Sequence, residues 1–132
     1  MKRNLLLTVM SLLSVLLFSI HLTQDILRGI EPGGLQNLTG FVVISVVWLC
    51  GTLLLSERRS GQIIMLVGSI LAAGVPVLHM RGAGVGGASA KASGAFLFIW
   101  TLLAMGVSGA FSVILSVRAL RGRRGDNDRG RE

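Results

Sequence analysis

Four apolar stretches separated by short polar segments constrain this chain more than any other feature of its sequence. They cover residues 5–22, 38–55, 63–80 and 92–117, and none carries Asp, Glu, Lys or Arg in its middle. Each stretch is long enough, as a helix, to cross a hydrocarbon core of about 30 Å. We therefore predict an all-α integral membrane protein with four transmembrane helices in an up-down antiparallel bundle.

The polar breaks indicate where the helices begin and end. We expect helices at about 5–27, 38–55, 62–80 and 92–117, together forming one transmembrane domain over 1–117, and a basic, disordered cytoplasmic tail over 118–132. Pro76 removes one backbone hydrogen bond from the third helix and frees the carbonyl of Ala72. Because a free carbonyl needs a partner in lipid, this part of the helix should face protein.

Composition excludes a soluble four-helix bundle, in which every helix would carry a polar face. Hydrophobic residues make up 52% of the 132, and charged residues only 14%. Over 41–55 the only polar side chains besides Cys50 are Ser45 and Thr52. Such a helix has no face for water, so lipid must surround it.

The distribution of Lys and Arg predicts the orientation. Ten of these residues are expected on one side of the membrane: before the first helix, between the second and third helices, and after the fourth. They are Lys2, Arg3, Arg58, Arg59, Arg118, Arg121, Arg123, Arg124, Arg129 and Arg131. The opposite side has three, which are Arg28, Arg81 and Lys91. The positive-inside rule then places both termini in the cytoplasm. We predict a multi-pass protein of a bacterial cytoplasmic (inner) membrane.

The net charge of +7 is interpreted as this topology signal and not as nucleic-acid binding. The expected partners are the lipid bilayer and, at the basic tail, its anionic headgroups.

A polar seam runs along the first predicted helix. Its members recur at three- and four-residue steps or multiples, with Phe18 filling the gap: Thr8, Ser11, Ser14, His21 and Asp25. Polar groups are poorly tolerated against lipid, so this face should point into the bundle.

The outer end of this seam is the candidate binding site. His21 and Asp25 are one helical turn apart, so the carboxylate can hold an imidazole proton. The topology places His79 at matching depth on the third helix, with Phe96 and Trp100 of the fourth expected nearby. We predict an outer-facing site of His21, Asp25 and His79. Its rim would consist of Arg28, Glu31 and Arg81.

Catalytic and metal motifs are not visible in the sequence. Ser11, Ser14 and the histidines form no nucleophile–base–orienter set, so we predict no enzyme and no catalytic residues. Ligands from distant segments form no spacing motif, so we expect no metal and no cofactor. The alternatives are haem b between His21 and His79, or a metal ion held there with Asp25.

Small residues recur at helix-packing spacing on the third and fourth helices. They are Gly68, Ala72, Ala104, Gly106, Ser108, Ala110 and Ser112. Such residues let helix backbones approach closely in lipid. They would either pack the two helices together or form an interface with a second copy or another protein, and we expect internal packing for at least one stripe.

In size and helix count the chain resembles the small multidrug resistance transporters and the DoxX-like membrane proteins. The former use a glutamate in the middle of helix 1, whereas this helix has no carboxylate before Asp25. The resemblance therefore implies a shared architecture and not proton-coupled export, and we assign no family.

Two functional hypotheses follow. The leading one is a non-enzymatic structural or accessory subunit, acting as a homo-oligomer or within a larger membrane complex. The alternative is a small-molecule, ion or proton binding or transport protein that uses the site between helices 1 and 3.

Overall fold

The computed structural model describes residues 2–29, 38–81 and 94–129. Every regular element in these ranges is an α-helix: α1 Lys2–Leu27, α2 Leu38–Leu53, α3 Arg59–Arg81 and α4 Ala95–Arg129. The prediction of an all-α chain with four helices is confirmed. Three helices contain segments long and apolar enough to cross a membrane, namely Leu5–Leu27, Arg59–His79 and Ala95–Gly122.

The second helix is the shortest. It has 16 residues, which corresponds to about 24 Å, and it ends two residues before the predicted limit. A tight turn then leads into α3, where a Cβ on Gly61 would overlap the carbonyl of Leu55. Only glycine fits so close an approach. Because the turn is compact, α3 begins at Arg59, three residues earlier than the sequence suggests.

The last helix extends beyond its apolar stretch. It continues to Arg129, into the segment that the sequence assigns to a tail. The residues directly after Val117 are Arg118, Ala119 and Leu120, which all favour helix. Hydropathy marks only the part of a helix that suits lipid, so it does not show where the helical backbone ends.

Helices α3 and α4 form the most extensive contact in the fold. A Cβ on Gly109 would lie 2.8 Å from the backbone nitrogen of Ala73, so the two backbones nearly touch there. The Oγ of Ser69 donates a hydrogen bond of 2.7 Å to the Oγ of Ser112. Pro76 packs against Gly106. The part of α3 around the proline thus faces α4.

The small residues predicted to pack α3 and α4 differ in how far they are buried. Ala72, Ser108 and Ser112 are buried, Ala104 and Gly106 are half-buried, and Ala110 is exposed. Gly68 lies beneath the Trp48 indole, where a Cβ would overlap the ring. Most of this set is therefore used inside the fold, between α3 and its two neighbours.

Polar side chains are common among the buried residues, and large apolar side chains are common on the surface. An apolar core of Val15, Trp48, Ala72, Leu102 and Met105 occupies the middle of the fold. On one side of it, toward the α2–α3 turn, buried hydroxyls pair between helices. Large side chains such as Leu16, Ile70 and Phe111 are exposed. A protein surrounded by water would bury these side chains, so the distribution suits a lipid solvent.

The buried hydroxyls form specific interhelical bonds. Trp48 Nε1 donates to Ser11 Oγ at 2.9 Å, and that oxygen lies 2.8 Å from Thr52 Oγ1. Ser14 Oγ donates to Ser108 Oγ at 3.2 Å. The polar seam of α1 therefore points inward and contacts both α2 and α4.

The close approach at Gly109 predicts a strong dependence on side-chain size. Gly109→Leu should destabilise the protein by about 1–3 kcal/mol or more, because overpacking would force α3 and α4 apart. Ala110→Leu, at the exposed neighbouring position, is the matched control and should change stability little. Thermal unfolding of both variants in detergent micelles measures the difference. Equal loss of stability in the two variants would contradict this packing.

Candidate functional site

The structure brings the three predicted site residues together at one end of the helices. His79 Nε2 lies 3.2 Å from Asp25 Oδ2, and His21 Nε2 lies 3.5 Å from the same oxygen. One nitrogen or oxygen atom from each of the three side chains lies within 4.8 Å of the others. We call these three residues the His–Asp–His cluster.

Two helices supply the cluster and a third closes it. His21 and Asp25 share a face of α1 because they are four residues apart. His79 comes from the last turns of α3, with its ring centroid 4.8 Å from that of His21 in an edge contact. Phe98 of α4 packs against both imidazoles, at centroid distances of 5.0 and 5.8 Å.

The cluster is buried. His21 is 2% exposed and Asp25 is 5% exposed, while the His79 side chain is 15% exposed. A carboxylate in such surroundings is costly unless a positive group or hydrogen bonds compensate its charge. The His79 imidazole, with Nε2 3.2 Å from Asp25 Oδ2, is one of the groups placed to do so.

A hydrogen bond fixes the orientation of His79. Its Nδ1 lies 3.1 Å from the carbonyl oxygen of Val75. A carbonyl only accepts, so Nδ1 carries the hydrogen and donates it. In the neutral ring, Nε2 then holds a lone pair, and that lone pair faces the Asp25 oxygen at 3.2 Å. Two acceptors so close are stable only with a proton or another cation between them.

His21 has unused bonding capacity. Neither of its ring nitrogens makes a hydrogen bond, although both atoms are buried. Buried polar atoms nearly always have a partner, and an exception calls for a physical explanation. The ring is therefore in a position to bind a further atom.

The surroundings of the cluster include residues that the sequence did not indicate. Thr101 Oγ1 donates a hydrogen bond of 2.8 Å to Gln24 Oε1, which joins α4 to α1. Of the predicted rim, the Arg28 guanidinium carbon lies 4.9 Å from the centroid of the Phe98 ring. Glu31 and the Arg81 side chain lie outside the part of the chain that the structure describes.

The aromatic residues expected near the site point elsewhere. Phe96 and Trp100 are 81% and 61% exposed and stack on each other. Phe98, between them in sequence, takes the inward position. The sequence does indicate that Phe98 shares the inward face of α4. Counting from Ser112 toward the N-terminus in steps of three or four residues reaches Ser108, Met105, Thr101 and Phe98.

The geometry does not suit haem between the two histidines. Their rings are in edge contact, and both face a single carboxylate oxygen. A planar macrocycle ligated from both sides needs a slot between the rings, and in this arrangement Asp25 and the ring contact occupy that space.

Comparisons of the chain with protein-family models, curated proteins and solved structures find no match. The function is therefore inferred from the chemistry of the His–Asp–His cluster.

The Val75 contact predicts the tautomer of His79. Nitrogen-15 NMR of protein labelled at histidine, recorded at a pH where the imidazoles are neutral, should show His79 with hydrogen on Nδ1, because the Val75 carbonyl requires a donor there. A His21→Gln sample removes the only other histidine signal and so assigns the resonance. Hydrogen on Nε2 alone would contradict the geometry.

Proposed function

We propose that this protein binds a small cation, either a proton or a metal ion, at the His–Asp–His cluster and passes it across a membrane. The observation that carries the proposal is the 3.2 Å approach of His79 Nε2 to Asp25 Oδ2. Because Nδ1 is the hydrogen-bearing nitrogen of the neutral ring, a cation is needed between these two atoms. The cluster contains no hydroxyl or thiol nucleophile, so the proposal is for binding and transfer and not for catalysis.

The proposed arrangement is four helices crossing a bacterial cytoplasmic membrane in up-down order, with both termini inside. The long apolar segments and the exposed large side chains support membrane insertion, and the distribution of Lys and Arg supports the orientation. The shorter α2 is accommodated by local thinning of the bilayer, at a modest cost in free energy. The cluster would then lie near the outer face, because His79 is two residues from the end of α3.

The interior offers a second polar level on the cytoplasmic side of the cluster. The Ser14–Ser108 and Ser69–Ser112 pairs lie there. Hydroxyl groups both donate and accept, so they suit the relay of a proton or the passage of a hydrated ion. An apolar layer that includes Val15, Leu102 and Met105 separates the two levels. We propose that this layer is the closed barrier of the transfer path.

A structural or accessory role is the second candidate, and one observation favours it. Helix α2 leaves most of its apolar face open, and a groove of about 320 Å³ lies between it and α3. Every side chain that lines this groove is apolar, with Val47, Ile63 and Val67 among them. Self-association in native membranes, measured by crosslinking, should be abolished by Val47→Trp if a second copy occupies this groove.

Transfer is tested in sealed proteoliposomes that contain a pH-sensitive or a Zn²⁺-sensitive dye. The wild-type protein should show flux of at least one of these ions, and His21→Ala and Asp25→Asn should reduce it at least tenfold. Thr23→Val is the matched control, because Thr23 lies between these residues on α1 but is exposed. Its flux should equal that of the wild type.

Two results would contradict the proposal. One is wild-type flux no greater than that of empty vesicles for both ions. The other is flux that persists unchanged in both cluster variants at equal protein content.

A further inference from the structure

We propose that the cation is a divalent transition metal of the Zn²⁺ class, coordinated by His21 Nε2, His79 Nε2 and Asp25 Oδ2. This assignment rests on the proposed cation site and names its ligand. From the sequence, a metal ion at these residues is only an alternative, because the ligands have no common spacing. The fold brings together ligands that sequence spacing does not connect, with one donor atom from each residue within 4.8 Å of the others.

The distances fit a tetrahedral ion. Zinc bonds of 2.0–2.1 Å to nitrogen and 2.0–2.2 Å to oxygen place neighbouring ligand atoms about 3.4 Å apart. The two nitrogen–oxygen separations in the cluster are 3.2 and 3.5 Å. Both nitrogen–oxygen separations are therefore close to those of a tetrahedral site.

The hydrogen bond to Val75 completes the pattern of a metal-ligating histidine. Such a residue usually donates its other ring N–H to a carboxylate or a backbone carbonyl, which fixes the ring and makes the ligating nitrogen more basic. His79 Nδ1 donates to the Val75 carbonyl at 3.1 Å. The nitrogen directed at the cluster is therefore the one free to bind metal.

The donor types select the class of metal. Imidazole nitrogen suits Zn²⁺, Cu²⁺, Ni²⁺ and Fe²⁺, whereas Ca²⁺ and Mg²⁺ prefer oxygen ligands alone. Three protein ligands leave the fourth position of a tetrahedral ion open, which permits exchange. The charge of Arg28 opposes a cation, since its guanidinium lies over the Phe98 ring that packs on both histidines. The Asp25 carboxylate offsets that charge and is itself a ligand.

Zn²⁺ affinity measured on detergent-solubilised protein tests the assignment. Competition against a chromophoric chelator should give one Zn²⁺ per chain in the wild type. Asp25→Asn and His79→Ala should each weaken binding at least tenfold, and Thr23→Val should not change it. Far-UV circular dichroism and elution volume show whether each variant is folded.

A second experiment uses only the wild-type protein, so its result does not depend on whether the variants fold. Co²⁺ added in place of Zn²⁺ should give the intense visible absorption of a tetrahedral site, and Zn²⁺ should abolish it. Absence of both stoichiometric Zn²⁺ binding and this spectrum would overturn the metal assignment. If proton flux in vesicles still depended on His21 and Asp25, the proposed function would stand with the proton as its cation. Zn²⁺ binding without flux of either ion would support the metal site and overturn transfer.

Discussion

The end of the fold that contains the His–Asp–His cluster depends on one carboxylate between two imidazoles. Asp25 is buried near the end of α1, where an unpaired charge would cost several kcal/mol. Its oxygen Oδ2 contacts His21 on the same helix and His79 on α3, so the compensation that makes its burial tolerable also joins the two helices. Phe98 of α4 packs against both imidazoles. The proposed cation would strengthen the contact between Asp25 and the two histidines.

The rest of the fold uses a different interaction. The hydrophobic effect does not drive helices together in lipid, because the lipid tails are as apolar as leucine. The helices instead associate through close backbone approach at Gly109 and through interhelical hydroxyl bonds such as Ser69–Ser112 and Ser11–Thr52. These bonds lie on one side of the apolar core and the His–Asp–His cluster lies on the other. The molecule therefore has two polar levels separated by an apolar layer.

The sequence predicted those features that depend on a single helix. The positions of α1, α3 and α4 follow from apolar length, and the proximity of His21 to Asp25 follows from a spacing of four. The prediction that His79 joins them required only that α1 and α3 contact each other with His79 at the same depth as His21. The inward position of Phe98 was missed in favour of Phe96 and Trp100, because few polar side chains mark the inner face of α4 and its rotation depends on packing against α1 and α3. The extension of α4 to Arg129 and the early end of α2 were missed for a related reason, since hydropathy reports suitability for lipid and not the limits of the helix.

A double-mutant cycle between Asp25 and His79 tests whether this carboxylate joins α1 to α3. Unfolding free energies in micelles would be measured for the wild type, Asp25→Asn, His79→Gln and the double variant. Residues in contact within one network show coupling of about 0.5–3 kcal/mol, and the account predicts coupling in this range with the native pair favourable. Independent sites usually show changes in unfolding free energy that add to within about 0.3–0.5 kcal/mol. Such additivity for Asp25→Asn and His79→Gln would contradict the joining of α1 and α3 through this carboxylate.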